Sequence, residues 1–120
     1  IVKKALEQKT ILVVDDNAIN RKVAEMTLMK LGHKVEMAST GIEAYQKYIS
    51  SSFDFILMDV HMPDLDGLEA TALIRKYEEE HQIVNPIPVI AMTAAAMTEY
   101  ISKPFKVKDI EIMLQLFFDK

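Results

Sequence analysis

The chain has 120 residues, close to the commonest size of a single domain, and half of them are apolar, which is enough for a hydrophobic core. It contains no cysteine and only three glycines, which excludes disulfides, thiolate chemistry and the glycine-rich phosphate loops of nucleotide-binding proteins. Its net charge of −4 argues against direct nucleic-acid binding. No apolar run is long enough to cross a membrane, so we expect no membrane contact by this domain.

Residues 1–9 mix charged and apolar side chains, and we interpret them as a linker or tail ahead of one domain at residues 10–120. The domain opens with a β-branched run, residues 11–14, which predicts a strand buried on both faces. A helix follows, with Asn17 placed as its cap and Gly32 placed where it ends. The predicted buried stripe of this helix is Ile19, Val23 and Met26, which recur at helical spacing.

Strands and helices alternate through the rest of the chain. The further predicted strands are short apolar runs at residues 34–38, 53–58, 88–92 and 100–102. The helices are indicated by apolar residues at helical spacing: Ile42, Tyr45 and Ile49; then Ala70, Leu73, Ile74 and Tyr77; and finally Val107, Ile110, Leu114 and Phe117. This alternation predicts an α/β fold in which helices cover both faces of a parallel sheet.

Carboxylates follow two of the predicted strands, at the sheet edge where ligands bind in such folds. Asp15 and Asp16 follow the first strand, and Asp59 follows the third. If these strands are neighbours, three carboxylates meet in one pocket, where like charges repel unless a cation lies between them. We therefore predict Mg²⁺, which prefers oxygen ligands and suits a site with few carboxylates and several waters. The alternative for Asp15 or Asp16 alone is capping of the first helix.

A hydroxyl and an ammonium follow the last two strands. Thr93 ends the fourth strand and Lys103 follows the fifth. A cation and a hydrogen-bond donor opposite carboxylates are what a phosphoryl group needs. Because a carboxylate can attack phosphorus, one aspartate could accept a phosphoryl group and hold it. Considered singly, Thr93 could be a turn hydroxyl and Lys103 a solvated surface lysine.

Three segments resemble the receiver domains of two-component signalling: ILVVDDNAINR at residues 11–21, ILMDVHMPDLDG at residues 56–67, and PVIAMT with SKP at residues 88–93 and 102–104. They are most similar to receivers attached to hybrid histidine kinases, and the similarity runs from about residue 10 to residue 116. The resemblance implies a flavodoxin-like, doubly wound sheet of five parallel strands in the order 2-1-3-4-5. It also implies a domain that accepts and slowly loses its own phosphate, not a turnover enzyme.

The resemblance also implies roles for the acidic residues. Asp59 matches the phosphoacceptor and one of the Mg²⁺ ligands. Asp16 matches the direct Mg²⁺ ligand, and Asp15 matches the acid that reaches the metal through water. The backbone carbonyl of His61 matches the third protein ligand.

Three further positions match the residues that respond to phosphorylation in this family. Lys103 matches the invariant lysine, Thr93 the switch hydroxyl and Tyr100 the switch aromatic. The resemblance implies that the phosphoryl group draws Thr93 inward and that Tyr100 fills the vacated space, which biases the output surface.

The implied phosphoryl donor is a phosphohistidine on a histidine kinase or a histidine phosphotransfer protein. Ile112 and Leu116 lie one turn apart on the last predicted helix, opposite its core stripe, and suggest a docking patch. We expect docking through the first and last helices. The expected location is the cytoplasm, including the cytoplasmic part of a membrane-bound sensor kinase.

Two alternatives share parts of this pattern. An aspartyl-nucleophile phosphatase of the haloacid dehalogenase type needs a second acid two residues after the nucleophile, but His61 stands there. An FMN-binding flavodoxin-like domain needs a hydroxyl- and amide-rich phosphate loop after the first strand, where Asp15 and Asp16 would repel a phosphate.

The connection between Thr93 and Lys103 is unusually short, at nine residues. Receivers typically have about a dozen more residues here, which form the fourth helix, and a parallel crossover needs about a dozen or more. The spacing favours omission of a segment near residues 96–98 over a genuine deletion. In either case, the fourth helix is missing from this sequence.

Overall fold

The computed structural model describes residues 8–60, 62, 65–93 and 101–102. Its elements alternate along the chain as the sequence predicts. In order they are β1 (Thr10–Val14), α1 (Ala18–Lys30), β2 (Lys34–Ala38), α2 (Gly41–Ser50), β3 (Phe55–Asp59), α3 (Gly67–Glu80), β4 (Val89–Thr93) and β5 (Ile101–Ser102). Among these described helices, none is long and apolar enough to cross a membrane.

The strands form one parallel sheet in the order β2-β1-β3-β4-β5, which confirms the predicted topology. In the register, Val14 at the end of β1 lies opposite Met58 of β3, and Asp59 lies opposite Met92 of β4. The carboxyl ends of the three central strands therefore meet at one edge of the sheet, where the predicted site residues stand.

Two hydrophobic clusters lie on opposite faces of the sheet, because alternate residues of each strand point to opposite sides. On one face, Ala24 and Leu28 of α1 pack against the sheet. On the other face, Ala44 of α2 and Ala70 and Ile74 of α3 do so. The predicted cover of helices on both faces is confirmed, and β3 is buried at every position.

The predicted buried stripe of α1 is wrong. Ile19 and Met26 are exposed over 74% and 61% of their surface, and Val23 is also exposed. The helix buries Ala24 and Leu28 instead. The helical period is as predicted, but the phase differs, because a small residue such as Ala24 allows close contact with the sheet.

The helix predicted from Ile42, Tyr45 and Ile49 is present as α2, but these residues only partly match the side that it buries. Ile42 and Ile49 are exposed, whereas the small residues Gly41 and Ala44 are buried and Tyr45 is half-buried. The prediction for α3 is confirmed at Ala70 and Ile74, which are fully buried.

Several predictions concern residues that lie outside the described part of the chain. They involve the last predicted helix with its core stripe, and the short connection after Thr93 with its missing segment. They also involve His61, Tyr100, Lys103, Ile112 and Leu116.

The predicted end of α1 at Gly32 is confirmed. Gly32 has φ +93°, which favours glycine. Its N–H donates to the carbonyl of Met29 at 2.9 Å, and the N–H of His33 donates to the carbonyl of Leu28 at 3.1 Å. This pair of bonds is a Schellman motif, which satisfies two of the last carbonyls of the helix.

A buried carboxylate joins α2, α3 and the segment before β4. Glu78 accepts hydrogen bonds from the Tyr48 hydroxyl at 3.0 Å, from Arg75 at 2.7 Å and from the Ile87 N–H at 2.7 Å. Burial alone would raise the pKa of Glu78, but these hydrogen bonds outweigh it and the pKa lies below its usual value. The sequence gives no sign of this link, because Glu78 is the first of three consecutive glutamates, a run that usually lies on the surface.

The start of β1 is held by two side chains from other elements. The buried His33 ring accepts a hydrogen bond at Nδ1 from the Lys9 N–H at 3.0 Å. The carboxylate of Asp54 accepts one from the Thr10 N–H at 2.7 Å. Because Nδ1 is an acceptor here, the ring is neutral in this arrangement.

We expect His33 to lower the free energy of unfolding at mildly acidic pH. Burial lowers the pKa of His33 below 6.5, Lys9 lowers it further, and Asp54 opposes them. The unfolded chain therefore takes up this proton first, and stability falls as pH falls below about 6.5. Urea unfolding at about pH 7.5 and pH 5.5 should show a larger loss for the wild type than for His33→Gln. Equal losses of stability in the wild type and in His33→Gln would contradict this role. The control is His81→Gln, because His81 is exposed.

Candidate active site

Three carboxylates meet at the carboxyl edge of the sheet. Asp15 and Asp16 follow β1, and Asp59 is the last residue of β3. Each offers an oxygen, and the three oxygens lie within 4.8 Å of one another. The predicted convergence is confirmed, and its cause is the pairing of Val14 with Met58, which sets Asp15 beside Asp59.

The three carboxylates differ in their exposure to solvent. Asp15 and Asp59 are 1% and 3% exposed, whereas Asp16 is exposed. Asp15 accepts a hydrogen bond at Oδ1 from the Asn17 N–H at 2.9 Å. The site therefore combines two buried acids with one that borders water.

Neither Asp15 nor Asp16 is the cap of α1. The cap is Asn17, as predicted, and its side chain accepts hydrogen bonds from the backbone N–H groups of Ile19 and Asn20. The capping role that could have explained the two acids is thus filled by a different residue.

The donor set fits a hard divalent cation. All three side chains offer carboxylate oxygens, which Mg²⁺ prefers. Close carboxylates with little access to water repel one another, and a cation among them removes that cost. The exposure of Asp16 leaves the solvent side open for the waters that Mg²⁺ usually retains.

A glycine allows the start of α3 to lie against the end of β3. The N–H of Gly67, the first residue of α3, donates to the carbonyl of Val60 at 3.1 Å. A Cβ on Gly67 would overlap the backbone carbonyl of Asp59 and lie 2.9 Å from the Cγ of Met58. The first residue of α3 can approach Asp59 this closely only because Gly67 has no side chain. Gly67 ends the motif at residues 56–67, but nothing in the sequence indicated this contact.

A basic residue from α1 contacts the end of β1. The guanidinium of Arg21 donates from Nη1 to the backbone carbonyl of Asp15 at 2.8 Å. Arg21 lies in the segment that carries the family resemblance, but sequence analysis gave it no role. The signal that could have found it is its position one helical turn after Asn17, which aims its side chain back toward the strand end.

Thr93 is the last residue of β4, and its backbone pairs with Ser102 of β5. Since Asp59 lies opposite Met92, the next residue, Thr93, stands at the same edge as the carboxylates. The structure thus brings Asp15, Asp16 and Asp59 together and places the strand position of Thr93 beside them. The roles predicted for Thr93, Lys103, His61 and Tyr100 stay predictions.

The sequence profile of the response regulator receiver domain matches residues 11–115 of this chain. Among curated proteins, Histidine kinase 5 from Arabidopsis thaliana is 42% identical over 118 aligned positions, covering 80% of this chain. Hybrid signal transduction histidine kinase M from Dictyostelium discoideum is 39% identical over 125 positions, covering 92% of this chain. The chain spans only 13% and 5% of the lengths of these two relatives.

The alignment with the Dictyostelium protein is longer than this chain of 120 residues. That relative therefore has residues with no counterpart in this chain.

Solved structures show the same fold. The receiver domain of a sensor histidine kinase from Pseudomonas aeruginosa, with a magnesium ion coordinated in its active site cleft, is 34% identical with a TM-score of 0.80. That match covers 95% of this chain and 100% of the other. The receiver domain of Ssk1 from Saccharomyces cerevisiae, co-crystallised with the histidine phosphotransfer protein Ypd1, has a TM-score of 0.86. It is 23% identical and covers 95% of this chain and 91% of its own.

Proposed function

This chain belongs to the response regulator receiver domain family, and on that premise we propose that Asp59 is its phosphoacceptor in a phosphorelay. The observation that carries the proposal is the cluster of Asp15, Asp16 and Asp59 at the end of the central strands. Among these three acids, Asp59 is the one that ends β3 itself, the strand at the centre of the sheet.

The proposed reaction is a transfer from nitrogen to oxygen. A carboxylate oxygen of Asp59 attacks the phosphorus of a phosphohistidine, the P–N bond breaks, and the imidazole nitrogen keeps the electron pair and takes up a proton. The product is an aspartyl phosphate. The domain accepts this group from a donor and does not turn over an external substrate.

The acidic cluster supports a requirement for Mg²⁺ in this transfer. Asp16 and Asp59 would hold the ion directly, with Asp15 acting through water and the backbone carbonyl of His61 as the third protein ligand. When bound, Mg²⁺ neutralises charge on the carboxylates and on the transferring phosphoryl oxygens. By their positions in the family motifs, Lys103 and Thr93 would bind the remaining phosphoryl oxygens.

The switch after phosphorylation rests on the same motifs. We propose that the hydroxyl of Thr93 moves toward the phosphoryl group and that Tyr100 follows it. This movement would bias the surface around β5 between two states.

The proposed donor is a histidine phosphotransfer protein or the phosphohistidine domain of a kinase. The yeast relative was crystallised with such a phosphotransfer protein. In this chain, α1 begins two residues after Asp16 and exposes Ile19, Val23, Met26 and Met29 along one side. An apolar strip next to the acceptor suits a partner that must bring its histidine to Asp59. The patch predicted at Ile112 and Leu116 would be a second contact.

The relatives are far longer than this chain, and we propose that it acts as the receiver part of a longer hybrid histidine kinase. Kinase activity would then belong to the parent protein. Because such kinases use ATP, the proposed location is the cytoplasm.

The first test is to incubate the chain with a small phosphodonor and Mg²⁺. We expect mass spectrometry to show one added phosphoryl group that is stable in acid and labile in base, as an acyl phosphate should be. Absence of this group, or equal labelling when Mg²⁺ is chelated, would contradict the proposed function. Binding of FMN instead would favour the flavodoxin-like alternative.

We expect the double variant Ile19→Glu, Met26→Glu to separate donor docking from chemistry. Charges on the exposed strip should slow transfer from a phosphorylated histidine phosphotransfer protein by at least about tenfold, since each buried unpaired charge costs more than about 1 kcal/mol. Labelling by the small phosphodonor should stay at the wild-type rate.

The matched control for the docking variant is Val84→Glu. Val84 is an apolar residue that is exposed over 88% of its surface, but it lies in the loop before β4, away from the carboxyl edge of the sheet. Its transfer rate should equal that of the wild type. Unchanged transfer in the double variant, or an equal loss with both donors, would remove α1 as the docking surface.

A further inference from the structure

Arg21 holds the peptide group that joins the first two acids of the site. Its Nη1 donates to the Asp15 carbonyl at 2.8 Å. The other groups of Asp15 are bonded as well, since its N–H donates to the carbonyl of Ala38 at 3.1 Å and its Oδ1 accepts from Asn17. The orientation of the peptide group between Asp15 and Asp16 is therefore fixed through its carbonyl oxygen.

This fixation matters most for Asp16. Asp15 and Asp59 are buried, so surrounding atoms restrict their side chains, whereas Asp16 is exposed and follows the end of β1. A rotation of the preceding peptide would swing the carboxylate of Asp16 away from the other two. The Arg21 contact opposes that rotation.

The charge of Arg21 also acts on Glu43 of α2. Glu43 accepts hydrogen bonds from the Ser39 N–H at 2.7 Å and from the Ser39 hydroxyl at 3.1 Å. These bonds hold the pKa of the Glu43 carboxyl below its usual range, although burial acts in the opposite direction. The charges of Lys47 and Arg21 lower this pKa further, which places the guanidinium within electrostatic reach of Glu43.

We propose that Arg21 is a positioning residue for the acidic cluster, which joins α1 to the end of β1 and thereby keeps Asp16 aimed at the metal. In this role Arg21 acts through the Asp15 carbonyl. This inference rests on the proposed function, because it concerns the affinity of the same site for Mg²⁺.

The sign of the effect distinguishes positioning from simple charge balance. Arg21 carries a positive charge near three carboxylates, so loss of the charge alone would strengthen the binding of Mg²⁺. Loss of positioning would weaken it, because residues that orient metal ligands typically contribute about tenfold or more to affinity. The proposal therefore predicts weaker binding when the cation is removed, against the electrostatic trend.

The experiment is a Mg²⁺ titration of the full chain, followed by the backbone amide signals of Asp16 and Ser39 in NMR spectra. The chain has no tryptophan, so fluorescence does not report on this site. Arg21→Met removes the charge and the donors but keeps the aliphatic stem. Lys22→Met is the matched control, since it removes the same charge from the next residue, whose ammonium lies 3.3 Å from Glu25.

We expect Arg21→Met to bind Mg²⁺ about tenfold more weakly than the wild type, and Lys22→Met to bind it as tightly or slightly more tightly. Arg21→Lys, which keeps the charge and a donor, should recover part of the affinity. Urea unfolding without Mg²⁺ shows whether each variant is folded. If Arg21→Met is not folded, Arg21→Lys is compared with the wild type instead.

Unchanged or tighter Mg²⁺ binding by folded Arg21→Met would overturn the positioning role, as would a failure of Arg21→Lys to recover any affinity. A wild type that does not bind Mg²⁺ would instead contradict the metal requirement in the proposed function. The two failures are therefore distinguishable in one series of titrations.

Discussion

Replacing Asp59 by Asn should abolish phosphorylation of this chain by any donor. The amide has nearly the same volume as the carboxylate, so a buried position at the end of β3 can accept it, but it lacks the anionic oxygen that attacks phosphorus. We expect the added phosphoryl group seen in the wild type to be absent from Asp59→Asn by mass spectrometry, with both a small phosphodonor and a phosphohistidine donor.

The matched control for this variant is Asp54→Asn. Asp54 lies just before β3, at the opposite end of the same strand, and an amide oxygen there can still accept the hydrogen bond from the Thr10 N–H. Asp54→Asn should be phosphorylated at the wild-type rate. Labelling of Asp59→Asn at the wild-type rate would show that a different side chain is the acceptor.

Gly67→Ala should cause the largest loss of stability of any single methyl addition in the described part of the chain. The new Cβ would overlap the carbonyl of Asp59, which is backbone and cannot rotate away as a side chain would. Overpacking typically costs 1–3 kcal/mol, and we expect at least about 3 kcal/mol here. Urea unfolding measures this loss as a fall in the free energy of unfolding.

Gly32→Ala is the comparison that isolates the steric cause. A Cβ on Gly32 meets no atom within 4 Å, but the positive φ of this residue makes alanine unfavourable by about 1–2 kcal/mol. The loss of stability in Gly32→Ala should therefore be smaller than that in Gly67→Ala.

Any folded Gly67→Ala protein should also be phosphorylated more slowly, because Asp59 must shift. A loss of stability in Gly67→Ala below that in Gly32→Ala would show that the start of α3 moves aside easily.

The site was largely predictable because it depends on topology. Short β-branched runs predict buried parallel strands, and parallel strands present their carboxyl ends at one edge. The positions of Asp15, Asp16 and Asp59 at strand ends then imply a cluster, which the structure confirms. No local property of these three residues was needed beyond their place in the strand pattern.

The covering faces of the helices were not predictable in the same way. In α1, the large residues Ile19 and Met26 face outward, while Ala24 faces the sheet. Helical period is a local property, so it was predicted correctly. The face that is buried depends on how closely the helix approaches the sheet, which is decided by strands far away in the sequence.

The acidic cluster could be predicted from the sequence because it follows from the alternation of strands and helices, whereas the strand order and the family were predicted from the resemblance of three short motifs. The contacts around the site were visible only in the folded structure: Arg21 on the Asp15 carbonyl and Gly67 against Asp59. The same is true of the hydrogen bond from the Tyr48 hydroxyl to Glu78, which joins α2 to α3. Each of these joins a side chain or a missing side chain to a backbone or hydroxyl group of another element. Backbone groups are the same at every residue, so nothing in the sequence marks which of them a distant side chain will meet.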